Sequence, residues 1–366
     1  MPVTDDAPTI AAPRKRAVRR RLKGWFAAHA RDLPWRENRD PYRVWLSEIM
    51  LQQTQVETVK PYFARFLAAF PTVHDLAAAP EQQVLRLWEG LGYYRRARGL
   101  HAAAKVLVSE HNGQFPRDLA ALQNLPGVGR YTAGAIASIA FDLPAPILEA
   151  NTIRLFTRLT AYRGDPTSTP GQKYLWRVAE ALVPPEGASQ FNQAVMELGA
   201  LVCTPKAPKC DACPLAKQCE ANLQDAVELL QPTTKKLKFV DVNEAAVVVY
   251  KGEQVLVRQC GPGERWSGLW DFPRFAVESE GPLFAQDELT KKVAEQTGVE
   301  VRGASHLKTL KHGVTKHRIT LDCYTAKRTA GRLKSTADSP TRWIDPAELG
   351  ELPLSVTGRK IAKLIG

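Results

Sequence analysis

Leu125-Pro126-Gly127-Val128-Gly129 joins two runs of helical character and decides the fold class. Gly127 and Gly129 allow backbone conformations and close approaches that a side chain would block. After Arg130 the spacing of Ala133, Ile136, Ala137 and Ile139-Ala140 predicts a helix. A hairpin followed by a helix start points backbone N–H groups at an anion. The same turn also serves as an ordinary helix–helix connection, so the rest of the chain has to decide.

Upstream, Trp45, Ile49, Val56, Val59 and Phe63 fall near helical spacing between Tyr42 and Phe70, with Pro61 expected to break the run. A further run holds Leu76 and Val84-Leu85 and ends around Gly90-Leu91-Gly92. Downstream, Cys203, Cys210, Cys213 and Cys219 read C-x6-C-x2-C-x5-C. Four thiolates in so short a span suit a [4Fe–4S] cluster or a tetrahedral S4 metal site, with zinc second because it favours two separated C-x2-C pairs. The loop from Thr204 to Lys209 adds Lys206 and Lys209, which suit phosphate contact and also suit plain solvation. Cys260 and Cys323 stand alone and read as structural.

The 366 residues exceed one ordinary core, and 44% hydrophobic with 24% charged residues describes a globular chain. A net charge of +12 calls for a polyanionic partner, most simply nucleic acid. No apolar run is long enough for a membrane span or a secretion signal, so a cytoplasmic, nucleoid-associated place is expected. In that reducing setting clustered cysteines are metal ligands sooner than disulfides. Residues 1–23, with Arg14-Lys15-Arg16 and Arg19-Arg20-Arg21, read as a basic tail, and 24–224 as an all-helical domain. Residues 225–239, with Pro232 and three lysines, read as a linker. From 240 to 366 strand signals appear at Ala245 to Tyr250, Val255 to Arg258 and Arg318 to Thr325, around a helical stretch from Leu283 to Gln296. The expected architecture is multidomain, a helical domain followed by an α+β domain.

Glu48, Gln52 and Gln55 fall on one helical stripe, and Glu48 is a candidate acid. The hairpin and the cysteine spacing together resemble the helix-hairpin-helix DNA glycosylases. The run Leu33-Pro34-Trp35-Arg36, through Asp40-Pro41-Tyr42, to Glu48 and Leu51-Gln52-Gln53-Thr54-Gln55-Val56 resembles the MutY-type adenine DNA glycosylase family. So does Leu91-Gly92-Tyr93-Tyr94-Arg95. That resemblance implies that Glu48 protonates adenine, that Arg36 shares its pocket, and that Leu51 and Gln53 approach the opened duplex. It further implies that Tyr93 stacks into DNA as a wedge, that Gly127, Val128 and Gly129 grip the phosphate backbone, and that the four cysteines hold a [4Fe–4S] cluster.

Two positions depart from relatives. Bifunctional endonuclease III-like enzymes carry a nucleophilic lysine where this chain has Tyr131, and a phenol forms no Schiff base. Base removal without strand cleavage follows. In place of the family's Asp-Gly-Asn-Val the chain reads Glu149-Ala150-Asn151-Thr152. Glu149 is then the carboxylate that stabilises or attacks the oxocarbenium ion, with Asn151 and Tyr131 positioning the two acids and Asp142 as the only substitute.

Residues 240–366 resemble the family's Nudix-like domain through Trp266-Ser267-Gly268-Leu269-Trp270-Asp271-Phe272-Pro273. The segment Lys291 to Gly298 lacks two glutamates of a working Nudix core, so recognition replaces hydrolysis. Val314-Thr315-Lys316 takes the place of the family's Phe-Ser-His loop, which makes Thr315 the candidate contact to 8-oxoguanine. The function expected is a monofunctional glycosylase, acting as a monomer on double-stranded DNA, that releases adenine mispaired with 8-oxoguanine or guanine. The alternatives are an endonuclease III-like glycosylase/lyase on oxidised pyrimidines and a non-catalytic DNA-binding iron–sulfur protein.

Overall fold

The computed structural model describes residues 10–230, 238–277 and 282–366; most of the linker reading, 231–237, lies outside the described residues. The chain divides into two compact units, residues 1–78 with 99–234, and 79–98 with 235–366.

The first unit is helical. It holds α1 (Ala12–His29), α2 (Pro41–Leu51), α3 (Val56–Ala69) and α4 (Val73–Ala78). Between the units of the sequence come α5 (Glu81–Trp88), in the second unit, and α6 (Arg95–His111), which runs through the boundary at Arg98. The first unit continues with α7 (Leu119–Gln123), α8 (Arg130–Phe141), α9 (Ala150–Leu159), α10 (Thr169–Leu182), α11 (Ala188–Leu201) and the short α12 (Glu220–Leu223). Side chains start several of them: Asp40 accepts from Tyr42 N, Asp118 from Ala121 N and Ser168 from Gly171 N. Each such cap satisfies an otherwise orphaned donor, worth about 1 kcal/mol.

Two expectations change. Pro61 lies inside α3, and the break falls instead at Gln52–Gln55, where Gln53 adopts a φ of 58°. The basic run read as a tail is part of α1. Val18 and Leu22, each 1% exposed, enter a core with Leu155, Leu175, Phe191 and Val195. Burying one such side chain is worth about 1.5–3 kcal/mol. Arg19 meets the carbonyls of Leu182 and Val183, each at 2.9 Å, at the end of α10, so this charge supports packing too.

The hairpin forms as its sequence requires. Gly127 has a φ of 74°, and a Cβ there would stand 3.4 Å from the Cα of Gly99 on α6. Gly129 is the N-cap of α8.

The second unit is a mixed sheet, comprising β1 (Val240–Lys251), β2 (Gln254–Gln259), β3 (Trp270–Asp271), β4 (Arg274–Ala276), β5 (Val299–Val314), β6 (His317–Gly331) and β7 (Thr341–Ile344). The strand order is β3-β2-β1-β6-β5, with β4 beside β1 and β7 beside β2. β1 and β6 are parallel, and β5 and β6 antiparallel. The unbroken apolar run Ala245–Val249 in β1 follows from burial of both faces. Ala245, Val247 and Val249 meet Leu289 and Val293 of α13 (Pro282–Thr297), while Ala246 and Val248 share a core with Ile361 of α14 (Val356–Ile365). α5 and the start of α6 belong to this unit: Trp270 Nε1 donates to Gln82 at 3.0 Å. Among the described residues no helix is long and apolar enough to cross a membrane.

Candidate active site

Val44 on α2 packs with Ala135 and Ile139 on α8. Glu48 is one helical turn beyond Val44, and Tyr131 one turn before Ala135, so the apolar seam sets the two polar side chains face to face. Tyr131 donates to Glu48 Oε2 at 2.6 Å. Glu48 is 4% exposed. Burial pushes its carboxyl up to about 7; the Glu149 charge adds to this, while the tyrosine hydrogen bond and Arg36 oppose it. Burial also lifts the Tyr131 hydroxyl well above its usual value, so it stays a donor.

Glu149 is the N-cap of α9. Its carboxylate accepts from Asn151 N at 2.8 Å and Thr152 N at 3.0 Å, and Thr152 Oγ1 accepts from Glu149 N at 2.7 Å. The extra methylene relative to aspartate is thus folded back onto the helix start, where the macrodipole favours an anion. Burial raises its carboxyl, and the two backbone bonds and Arg154 act against that rise. Asn151 Oδ1 accepts from Arg154 at 2.9 Å, and Arg154 reaches on to the carbonyls of Gly199 (2.7 Å) and Cys203 (2.6 Å). A Cβ on Gly199 would come within 2.8 Å of Asn151 Cβ, which excludes larger residues. Asp142, the substitute acid, is engaged elsewhere, accepting from Gly187 N and Ser189 N at 3.3 and 2.8 Å before α11.

Arg36 ends a short 3₁₀ turn and donates to Glu197 Oε2 at 2.9 Å. Glu197 on α11 was not marked by the sequence reading, because a lone glutamate in a helix looks like a surface charge. It is 1% exposed. Burial pushes its carboxyl up, but Arg31, through its backbone N–H and two guanidinium bonds, and Arg36 overcome this and hold it at about 2. Arg36 also lines a cavity of about 370 Å³ with Phe26, Trp35, Asn38, Ile139 and Gln193.

Glu197→Gln is expected to cost about 3 kcal/mol of stability at pH 7 by urea unfolding, since the carboxyl is held at about 2 against an ordinary value of 4.5. A depressed carboxyl contributes stability that is complete above about pH 4.5 and is lost as pH falls towards 2. The gap between wild type and variant should therefore narrow below pH 4.5.

The four cysteines Cys203, Cys210, Cys213 and Cys219 line one pocket together with Arg158 and Leu215. Arg158, 1% exposed, donates to Cys203 Sγ at 3.3 Å and to Thr204 O at 2.8 Å. A buried cation beside the thiols would offset the negative charge of thiolates formed there. Burial first, and then the neighbouring Cys203, Cys219 and Cys210, push the Cys213 thiol up to about 12, a cost that a bound metal would remove. Among the described residues no three His, Cys, Asp or Glu side chains converge on a single-ion site. Cys260 and Cys323 are buried outside that pocket.

Of the remaining candidates Gln53, Tyr93, Gly127, Gly129 and Thr315 are exposed, Leu51 is half-buried and the Val128 side chain is buried. Leu51 is the last residue of α2, and Gln53 lies in the turn that leads to α3. In the second unit Tyr93 has a φ of 48° and is 44% exposed. Thr315 has a φ of 51° and leads the two-residue turn between β5 and β6, where Val314 pairs with His317. On α13, Lys291 lies 3.9 Å from Glu295, the carboxylate left in the degraded Nudix segment, and Lys292 pairs with Glu288, outside that segment, at 2.9 Å.

A family pattern described as HhH-GPD superfamily base excision DNA repair protein matches residues 46–181, and a NUDIX domain pattern matches 244–364. An adenine DNA glycosylase of Buchnera aphidicola (subsp. Schizaphis graminum) is 38% identical over 256 residues, 69% of this chain and 74% of its own. The chain belongs to the adenine DNA glycosylase family. The adenine DNA glycosylase of Rattus norvegicus is 49% identical over 269 residues, 71% of this chain and 51% of its own. The chain thus spans about half the length of the mammalian family members it matches. A solved thermostable thymine-DNA glycosylase superposes with a TM-score of 0.53 at 30% identity, covering 58% of this chain and 98% of that one. The helical unit is therefore the glycosylase fold of the adenine DNA glycosylase family, followed by a Nudix-like sheet domain.

Proposed function

We propose that the chain is a monofunctional adenine DNA glycosylase that releases adenine opposite 8-oxoguanine or guanine. The carrying observation is the 2.6 Å bond from Tyr131 to a buried Glu48 whose carboxyl titrates near 7. Such an acid is still protonated at neutral pH and delivers its proton to the departing base. The bond from C1′ to the base then breaks with its electron pair leaving on the protonated adenine. The sugar becomes oxocarbenium-like, and the carboxylate of Glu149 stabilises it or attacks it covalently. Water completes the reaction at C1′ and returns a proton to a carboxylate. No amine stands at Tyr131 to carry out strand cleavage.

The cavity lined by Arg36 and Gln193 is large enough for a purine, and its amides match a base edge of mixed donors and acceptors. Arg36 connects it electrostatically with Glu48. The N–H groups of Gly127 and Gly129 take a phosphate, that of Val128 being bound to Leu125 O at 3.1 Å, and Leu51 and Gln53 face the opened duplex. Tyr93 stacks into the gap left by the extruded adenine, which offsets a few kcal/mol of unstacking. Thr315 contacts 8-oxoguanine through its hydroxyl. Cys203, Cys210, Cys213 and Cys219 hold a [4Fe–4S] cluster that stiffens the Lys206–Lys209 loop; a glycosidic hydrolysis needs no electron from it. The chain acts as a monomer in the nucleoid compartment.

Duplexes bearing A opposite 8-oxoguanine, A opposite G, and thymine glycol test this reading. Alkali-dependent nicking at adenine is expected, with none at thymine glycol. Absence of product on both adenine substrates overturns it.

A further inference from the structure

We propose that Arg359 and Glu89 form a positioning clamp through which the sheet of the second unit fixes the exposed Tyr93 ring. The inference rests on the DNA-contacting role proposed for Tyr93 above and concerns how that side chain is held.

Tyr93 sits in a loop that its own backbone disfavours. Within Gly90–Tyr94, Gly90 and Gly92 take φ values of 99° and 71°, and Tyr93 itself takes 48°. Such a conformation costs a non-glycine residue on the order of 1–3 kcal/mol and persists only where the surroundings over-determine it. Local contacts define the loop's shape. Trp88 Nε1 donates to Gly92 O at 3.1 Å, and Arg96 donates to the carbonyls of Leu91 and Gly92, each at 3.1 Å. The Arg96 guanidinium also lies over the Trp88 and Tyr93 rings, 5.4 and 5.6 Å from their centroids.

None of these contacts says where the loop is carried. Gln82 and Arg86 tie α5 to the sheet domain, the latter through Gly350 O at 2.7 Å, and the tie nearest the loop is Glu89, the residue that ends α5 immediately before it. Arg359 on α14 meets it in a bidentate pair, Nε to Oε1 at 2.8 Å and a terminal nitrogen to Oε2 at 3.0 Å. Both side chains are largely buried, 10% and 17% exposed. Arg359 is itself held by the carbonyls of Leu349 (2.7 Å) and Leu352 (2.6 Å). A planar fork locked at both ends fixes direction as well as distance. On the far side of the loop Arg98 donates to Ser267 O. The tyrosine is thus gripped before and after by the sheet domain that carries Thr315. The two groups proposed to meet DNA from this unit share one frame.

Three measurements on the full chain decide this. First, amide hydrogen exchange of Leu91–Tyr94 in the DNA-free protein is expected to accelerate roughly tenfold or more in Arg359→Gln. Second, affinity for an A opposite 8-oxoguanine duplex is expected to fall roughly tenfold, within what one aromatic–base stack contributes. Third, in a Tyr93→Ala background the same Arg359 substitution should cost no further affinity, which a merely structural role would not produce. Glu89→Gln should repeat all three effects, and it carries the cycle should Arg359→Gln fail to fold. Unchanged exchange, or affinity losses that simply add, overturn the clamp. Wild type that neither prefers the mispair nor releases adenine overturns the parent reading instead, while the exchange measurement still judges the clamp.

Discussion

Glu48→Gln should slow adenine release by a factor on the order of 10²–10⁴ under single-turnover conditions, the range expected for loss of a positioned general acid. The same substitution should make the protein more stable. Glu48 titrates near 7 in the folded state against about 4.5 unfolded. A carboxyl raised in this way binds more protons folded than unfolded between those values. It therefore withdraws stability as pH rises from about 4.5 to 7, about 3 kcal/mol in all. Glutamine carries no such penalty and still accepts from Tyr131. Urea unfolding should show the variant more stable by about that amount at pH 8 and equal at pH 4.5. Equal stability at both pH values would show that Glu48 is not held protonated. The rate of wild type should fall as pH rises past 7, and Tyr131→Phe, which removes a bond that lowers the Glu48 carboxyl, should move that limb upward.

Glu149→Gln should reduce adenine release by roughly 10²–10³, the usual cost of removing one electrostatic stabiliser of the transition state. The cost in stability should be about 1 kcal/mol or less, because a glutamine carbonyl keeps one of the two N-cap bonds. Removing its charge also lets the Glu48 carboxyl fall, so the limb near pH 7 should shift to lower pH. Glu149→Asp, a good N-cap in its own right, should retain activity within about tenfold. Near-normal single-turnover rates in Glu149→Gln would remove this carboxylate from the mechanism. In that event the anion's role reduces to capping α9, since Asp142 is occupied at the start of α11.

The local sequence was enough for whatever depends on the backbone of a few neighbouring residues. The hairpin 125–129, the start of α8 at Arg130 and the alternation around Lys251-Gly252-Glu253 follow from glycine conformations and short-range periodicity. The cysteine spacing likewise places four thiols within seventeen residues, and folding brings them to one pocket. Departures came where a long-range contact outweighs local preference. Pro61 stays within α3, and Arg14 and Arg19 of α1 are drawn inward because Val18 and Leu22 supply an apolar stripe to a core built by α9, α10 and α11.

The chemistry of the site divides the same way. Sequence singled out Glu48, Tyr131 and Glu149 as residue types, but a carboxyl's protonation depends on what surrounds it. Only the packing of α2 on α8 buries Glu48 and sets the phenol against it, and only the start of α9 brings a second carboxylate close enough to be felt. Glu197, 161 residues from Arg36, and Arg359, 270 residues from Glu89, had no signal in the chain at all. Ion pairs of that separation have no sequence period. They exist because burial removes water from both partners, and only the tertiary structure decides which charges are buried together.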